Sequence, residues 1–288
     1  MRKTAADFDQ RILDLFDGYV HGRVSKRDFL KLAGAGGAVA LAQLSPDYAM
    51  AQQVAPDDPE IVTERISYAS PDGHGSVDGL MAWPAGMNEP VGAVLVVHEN
   101  RGLNPYIEDV VRRVAKAGYL ALGPDGLTSL GGYPGSDEEG RPMQRSLDPT
   151  RLLADFFAGF EFVRDHERSN GKAGAVGFCY GGGVCNALAV AYPDMACSVP
   201  FYGRQAAVED VPQIRAPLML HFAENDARIN AGWPDYETAL QAHGVVHEAH
   251  FYPGTNHGFH NDSTPRFDAA AAELAWSRTL SWFGRYLA

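Results

Sequence analysis

Along residues 60–288 the apolar positions switch repeatedly between the alternation of strands and the three-to-four spacing of helices. Ile61–Ala69 and Val77–Trp83 read as strands, with Asp72-Gly73-His74-Gly75 as the turn between them. Val91–Val97 is apolar without interruption, which predicts a strand covered on both faces. Tyr106–Ala117 reads as a helix and Tyr119–Leu122 as a short strand, while Arg151–Arg168 carries a strongly amphipathic helical pattern. A strand at 173–178 and a helix at 182–191 follow. Further strands are predicted at Cys197–Phe201, Pro217–Ala223 and His247–Tyr252, with helices near Trp233–His243 and from Arg266 to Leu287. Gly131–Pro149, rich in glycine, proline and charge, predicts a long surface loop placed to form part of a lid. Strands alternating with helices of this length predict an α/β fold: a mostly parallel sheet with helices on both faces.

The first fifty-one residues have a different character, and we divide the chain into a segment at 1–51 and a domain at 52–288. Over residues 6–20, Phe8, Ile12, Leu15, Phe16 and Tyr19 fall on one side of a helix with acids opposite. Ala55 to Pro59, polar and proline-bearing, reads as the linker into the domain. At 288 residues and 45% hydrophobic content the chain has ample material for one large core. A formal charge of −12 argues against nucleic acid, because no basic stripe is present to neutralise phosphates. No apolar run reaches the roughly 18–20 residues of a membrane-spanning helix. Three cysteines cannot all pair, and none belongs to a C-x-x-C or other zinc spacing; Cys185 and Cys197 read as packing residues.

Cys179 differs from them. It sits in Gly177-Phe178-Cys179-Tyr180-Gly181, between an apolar strand and a helix-compatible run. A strand–sharp turn–helix with glycines flanking a central nucleophile is the G-x-S-x-G "elbow", here with a thiol in place of the hydroxyl. A thiol nucleophile needs a base, and the base needs an orienting acid. Asp226 follows the strand around Pro217–His221 and His257 follows the strand at 247–252, so both lie at carboxyl ends of strands, where ligands gather in open α/β sheets. The chain order Cys179, Asp226, His257 is nucleophile, acid, base.

With these residues in view, the chain resembles the dienelactone hydrolase (carboxymethylenebutenolidase) family of the α/β-hydrolase superfamily over roughly residues 60–288. The resemblance rests on Gly177–Gly183, the aspartate after Pro217–His221, the His257-Gly258-Phe259 stretch and Val97-His98-Glu99-Asn100-Arg101-Gly102. It implies that Glu99 accepts a hydrogen bond from the resting thiol and helps to deliver a thiolate when substrate arrives; an ion pair with Arg101 is compatible with that role. It implies an oxyanion hole from the backbone N–H groups of Tyr180 and Asn100. A substrate-binding cation is expected from Arg101, with Arg145 and Arg204 as alternatives, because the position four after the histidine, an arginine in the family, is Asn261 here. Tyr202 is placed in the pocket wall. His247, His250, His257 and His260 have suggestive spacings, but a strand points His247 and His250 to opposite faces, and no metal or cofactor is expected.

Ser25-Lys26-Arg27-Asp28-Phe29-Leu30-Lys31, the mild apolar run after it and Ala49-Met50-Ala51 resemble a twin-arginine export signal, with lysine at the first arginine. Export to the periplasm is therefore expected, the alternative being retained helices that dock on the domain or mediate a homo-oligomer. The expected function is hydrolysis of small esters or lactones through Cys179. A broader carboxylesterase or polyester-active enzyme, or a non-hydrolytic thiol protein, are the alternatives.

Overall fold

The computed structural model of the chain describes residues 3–50 and 52–288; Ala51, the last residue of the expected cleavage site, lies outside them. Three helices open the chain: α1 (Gln10–Val20), α2 (Lys26–Ala33) and α3 (Gly37–Leu44). The sheet then begins with β1 (Ile61–Ser70), β2 (Gly75–Pro84) and β3 (Val91–Val97), followed by α4 (Pro105–Lys116) and β4 (Leu120–Pro124). Next come α5 (Asp137–Ser146), α6 (Pro149–Arg164), β5 (Ser169–Phe178), α7 (Tyr180–Ala191) and β6 (Cys197–Phe201). The chain closes with β7 (Leu218–Asn225), α8 (Ala227–Asn230), α9 (Trp233–Ala242), β8 (His247–Asn256) and α10 (Ala269–Tyr286).

The eight strands form one sheet in the order β1-β2-β4-β3-β5-β6-β7-β8. β1 and β2 pair antiparallel, β2 meets β4 antiparallel, and the remaining pairs are parallel. Period-two alternation splits β3 between two cores. Ala93, Leu95 and Val97 pack with Phe156 and Phe160 of α6 and Leu188 of α7, whereas Val94 and Val96 pack with Val110 and Val114 of α4 and Phe283 of α10. That double coverage is why the strand carries no polar face. Parallel strands β3 and β5–β8 end on one edge of the sheet, and the loops leaving that edge hold the chemistry.

One expectation changes here. Residues 131–149 are not a plain loop, because α5 occupies Asp137–Ser146. Its inward residues are polar (Asp137, Arg141, Gln144) together with Gly140, where a Cβ would stand 2.5 Å from the Arg101 carbonyl oxygen. A helix buried on a polar face leaves no hydrophobic period to read. Asp17, one of the acids of α1, is drawn inward. The helices of the segment share a small core of Leu13, Phe16, Val20, Phe29 and Leu44. They dock on the domain through Gln10 to Asn256 at 2.7 Å, Asn100 to the Val20 carbonyl at 2.8 Å and Lys26 to Glu138 at 2.6 Å. Among the described residues no helix is long and apolar enough to cross a membrane.

Candidate active site

The turn from β5 into α7 can be made only with glycine around it. A Cβ on Gly177 would stand 2.2 Å from the Gly181 carbonyl oxygen, and one on Gly181 would stand 2.2 Å from that of Val97. Cys179 between them takes φ 56° and ψ −110°, a backbone conformation that costs an L-residue on the order of 1–3 kcal/mol. The strain is held by the Cys179 N–H donating to the Phe201 carbonyl at 3.0 Å. The result lifts the thiol off the sheet edge at the head of α7.

Asp226 caps α8, and its carboxylate accepts the Nδ1 proton of His257 at 2.5 Å; both residues are buried. The Nε2 of His257 has no hydrogen-bond partner, and a ring nitrogen of His257 lies within 4.8 Å of the Cys179 sulfur. Burial by itself would lower the pKa of His257, but the charges of Asp226 and Cys179 outweigh it and raise it to about 10. For Cys179 burial works against the thiolate; the cationic histidines His257 and His21 overcome it and bring the thiol down to about 5. The arrangement favours a thiolate–imidazolium pair.

His21 was not expected. It comes from the end of α1, where Gly22 at φ 73° turns the chain away, and its Nε2 lies 3.2 Å from the Cys179 sulfur. Its ring stands edge-on to His257 with centroids 4.8 Å apart. Nothing local marks such a residue. The only sequence signal is Asp17 and His21 at i and i+4, next to the apolar stripe and just before a glycine. His21, Cys179 and His257 are also the one set among the described residues with donor atoms close enough to hold a metal ion. His247 and His250 take no part, the latter lying 3.4 Å from Glu248.

Other expectations meet the structure unevenly. Glu99 is not on the thiol: its carboxylate is tied to Arg101 at 2.7 Å and to the Asn261 amide at 2.9 Å, while the sulfur is hydrogen-bonded to His21. Arg101 is not in the pocket; its guanidinium is consumed by Glu99 and Asp137. Asn261 thus serves the same buried network. The backbone N–H groups of Tyr180 and Asn100 have no protein acceptor among the described residues, as an oxyanion hole requires. Tyr202 does line the pocket, at a left-handed φ of 37°. The cation nearest the chemistry is Arg228, two residues after Asp226, 3.4 Å from His21 Nε2 and 3.5 Å from His257 Nδ1.

Beside the sulfur opens a cavity of about 840 Å³. Leu152, Phe157, Val184 and Val190 give it an apolar wall, and Arg145, Arg204 and Arg228 stand around it.

Residues 77–287 match the model of the dienelactone hydrolase family. The chain belongs to the dienelactone hydrolase family. This family member is a hydrolase acting on esters or lactones, with the α/β-hydrolase fold. Its first 38 residues match a separate model described as YqhI-like. It is 64% identical over 107 residues to the Escherichia coli K12 protein named "Putative hydrolase fragment YghX", covering 37% of this chain and 92% of that one. It is 27% identical over 232 residues to a carboxymethylenebutenolidase of Pseudomonas putida, 77% of this chain and 96% of that one. A dienelactone hydrolase-like promiscuous phosphotriesterase from metagenomic libraries has the same fold, with TM-score 0.69 at 20% identity, covering 80% of this chain and all of that one.

Proposed function

We propose that this hydrolase works through Cys179 as nucleophile in a Cys179–His257–Asp226 triad. The observation that carries the reading is the alignment of three features: a strained elbow cysteine, an imidazole beside its sulfur with an unpaired Nε2, and a carboxylate on the other ring nitrogen. The thiolate attacks the acyl carbon, and the oxyanion forms against the N–H groups of Tyr180 and Asn100. Imidazolium His257 gives its proton to the departing oxygen, and the C–O bond breaks. Neutral His257 then takes a proton from water, which attacks the thioester and releases the acid and the thiolate. Asp226 fixes the tautomer and orientation of the ring throughout.

The cavity supports an ester or lactone with an apolar body, and Arg228, Arg145 and Arg204 suit one that also carries an anionic group, as the carboxymethylenebutenolidase relatives suggest. Hydrolysis of p-nitrophenyl acetate by wild type and Cys179→Ala tests the reading. Turnover is expected to fall at least ~10⁴-fold in the variant; retained turnover would remove Cys179 from the mechanism. No turnover by the wild type on any ester of a panel would favour a thiol sensor.

Two further proposals concern the segment at 1–51. Export rests on Ser25–Lys31, and a mature N-terminus at Gln52 in protein from its host would support it, whereas one at Met1 would end it. Self-association through these helices has exposed Leu32 and Val39 to rest on, and sedimentation of the full chain tests it.

A further inference from the structure

Two imidazoles, not one, reach the sulfur, and they are built alike. His257 has Asp226 on Nδ1. His21 has the Asp17 carboxylate at 3.1 Å and the Asp17 carbonyl oxygen at 2.8 Å on its own Nδ1. A carbonyl oxygen only accepts, so Nδ1 of His21 carries a proton. Nε2 lies 3.2 Å from the sulfur and 3.4 Å from the Arg228 guanidinium, which can only donate; with Nε2 protonated as well, the ring is an imidazolium whose second N–H has the sulfur, the nearer of the two, as its acceptor.

We propose that His21 is a catalytic residue of this enzyme, an imidazolium set in place by Asp17 that donates Nε2–H to the Cys179 thiolate, so that the N-terminal segment is part of the active site. The inference rests on Cys179 being the nucleophile. His21 keeps its proton through the cycle, and no covalent bond to it forms or breaks. It holds the sulfur negative between turnovers, which leaves His257 to protonate the leaving oxygen and to deprotonate water. Asp17 is a positioning residue: Arg228 at 3.8 Å and Arg266 at 4.0 Å hold its carboxylate, and Arg23 bonds it from the solvent side at 2.5 Å. The charged and titratable groups facing the sulfur and its two imidazoles are therefore Asp17, Asp226, Arg228, Arg266 and Tyr202, with the Glu99–Arg101 pair behind them. The elevated pKa of His21, in which the Cys179 charge and Asp17 overcome burial, agrees with this placement.

Cleavage after Ala51 would take His21 away from the thiol, so an active enzyme from its host that begins at Gln52 would overturn the role of His21.

The test uses the full chain and reads the sulfur directly. Alkylation of Cys179 by iodoacetamide is followed against pH by mass spectrometry in wild type, His21→Gln and Asp17→Asn, with thermal melts to confirm folding. In His21→Gln the alkylation midpoint is expected to rise by about one pH unit and kcat to fall about tenfold. Asp17→Asn is expected to shift both in the same direction by less. In His21→Ala, added imidazole is expected to restore part of kcat, which separates a chemical role from a loosened helix. A His21→Gln protein that melts like wild type but keeps its alkylation midpoint and its kcat within twofold overturns the proposal. Failure of the nucleophile reading shows separately, as undiminished turnover by Cys179→Ala, because alkylation does not depend on turnover.

Discussion

The two imidazole–carboxylate pairs on Cys179 reach the sulfur by different routes. Asp226 and His257 sit on loops that leave adjacent parallel strands, β7 and β8, so their meeting is dictated by the sheet: strands in register place their carboxyl ends side by side. Asp17 and His21 sit one helical turn apart on α1, a helix outside the sheet order, and they meet the sulfur only because α1 docks there. The first pair inherits the rigidity of the domain core. The second is held by the small core of the segment and a few polar contacts to the domain. The first pair cannot shift without disturbing the sheet, whereas the position of the second depends on the docking of one helix.

Substitutions can pull the two pairs apart. The largest effect is expected from Asp226→Asn, where the geometry survives but the ring of His257 loses its acceptor and its tautomer; kcat should fall by about 10³ to 10⁴. A loss under tenfold in a well-folded variant would mean that His257 is not the working acid–base group.

The pH profile sharpens the same contrast. Below about 5 the thiolate takes up a proton and activity falls as pH falls; above about 10 His257 loses the proton that the leaving group needs and activity falls again. Between these limits kcat/KM should be flat. An acid limb near the ordinary thiol range instead would show that neither imidazole stabilises the thiolate.

The smallest expected effect on chemistry comes from Phe16→Ala, which empties the core of the segment beside Phe29 and Arg266. A loss of about 3 kcal/mol should fall on the docking of α1 and leave the sheet intact. Hydrogen exchange should rise over residues 10–20 and stay unchanged in β3 and β5. Equal loss of protection in both regions would show that the segment and the domain unfold as one unit.

Legibility in the sequence follows the same division. Unbroken apolar runs such as Val91–Val97 reveal buried strands because both faces are covered, and strand ends then locate Cys179, Asp226 and His257. The elbow is legible because close backbone approach at Gly177 and Gly181 admits nothing but glycine. α5 was hidden because its buried face is polar: Asp137 and Gln144 serve Arg101 and the Gly102 N–H, so hydrophobic periodicity is silent. The ion pair of Glu99 with Arg101, two residues on, was legible, but its contact with Asn261 was not, because that partner lies 162 residues away and no local pattern contains the pairing. His21 was missed for the same reason, since its function depends on where a separate helix docks. Contacts made by a whole sheet are written in periodicity, whereas those made by one docked segment are not.

In the proposed mechanism acyl transfer passes through the sulfur of Cys179. Quenching wild-type protein during steady-state turnover of a slowly hydrolysed p-nitrophenyl ester, followed by peptide mass spectrometry, reads the acyl–enzyme bond itself. The acyl mass is expected on the peptide bearing Cys179, labile to hydroxylamine as a thioester, with no label in Cys179→Ala. An acyl group on another residue, or turnover in Cys179→Ala equal to wild type, would contradict it.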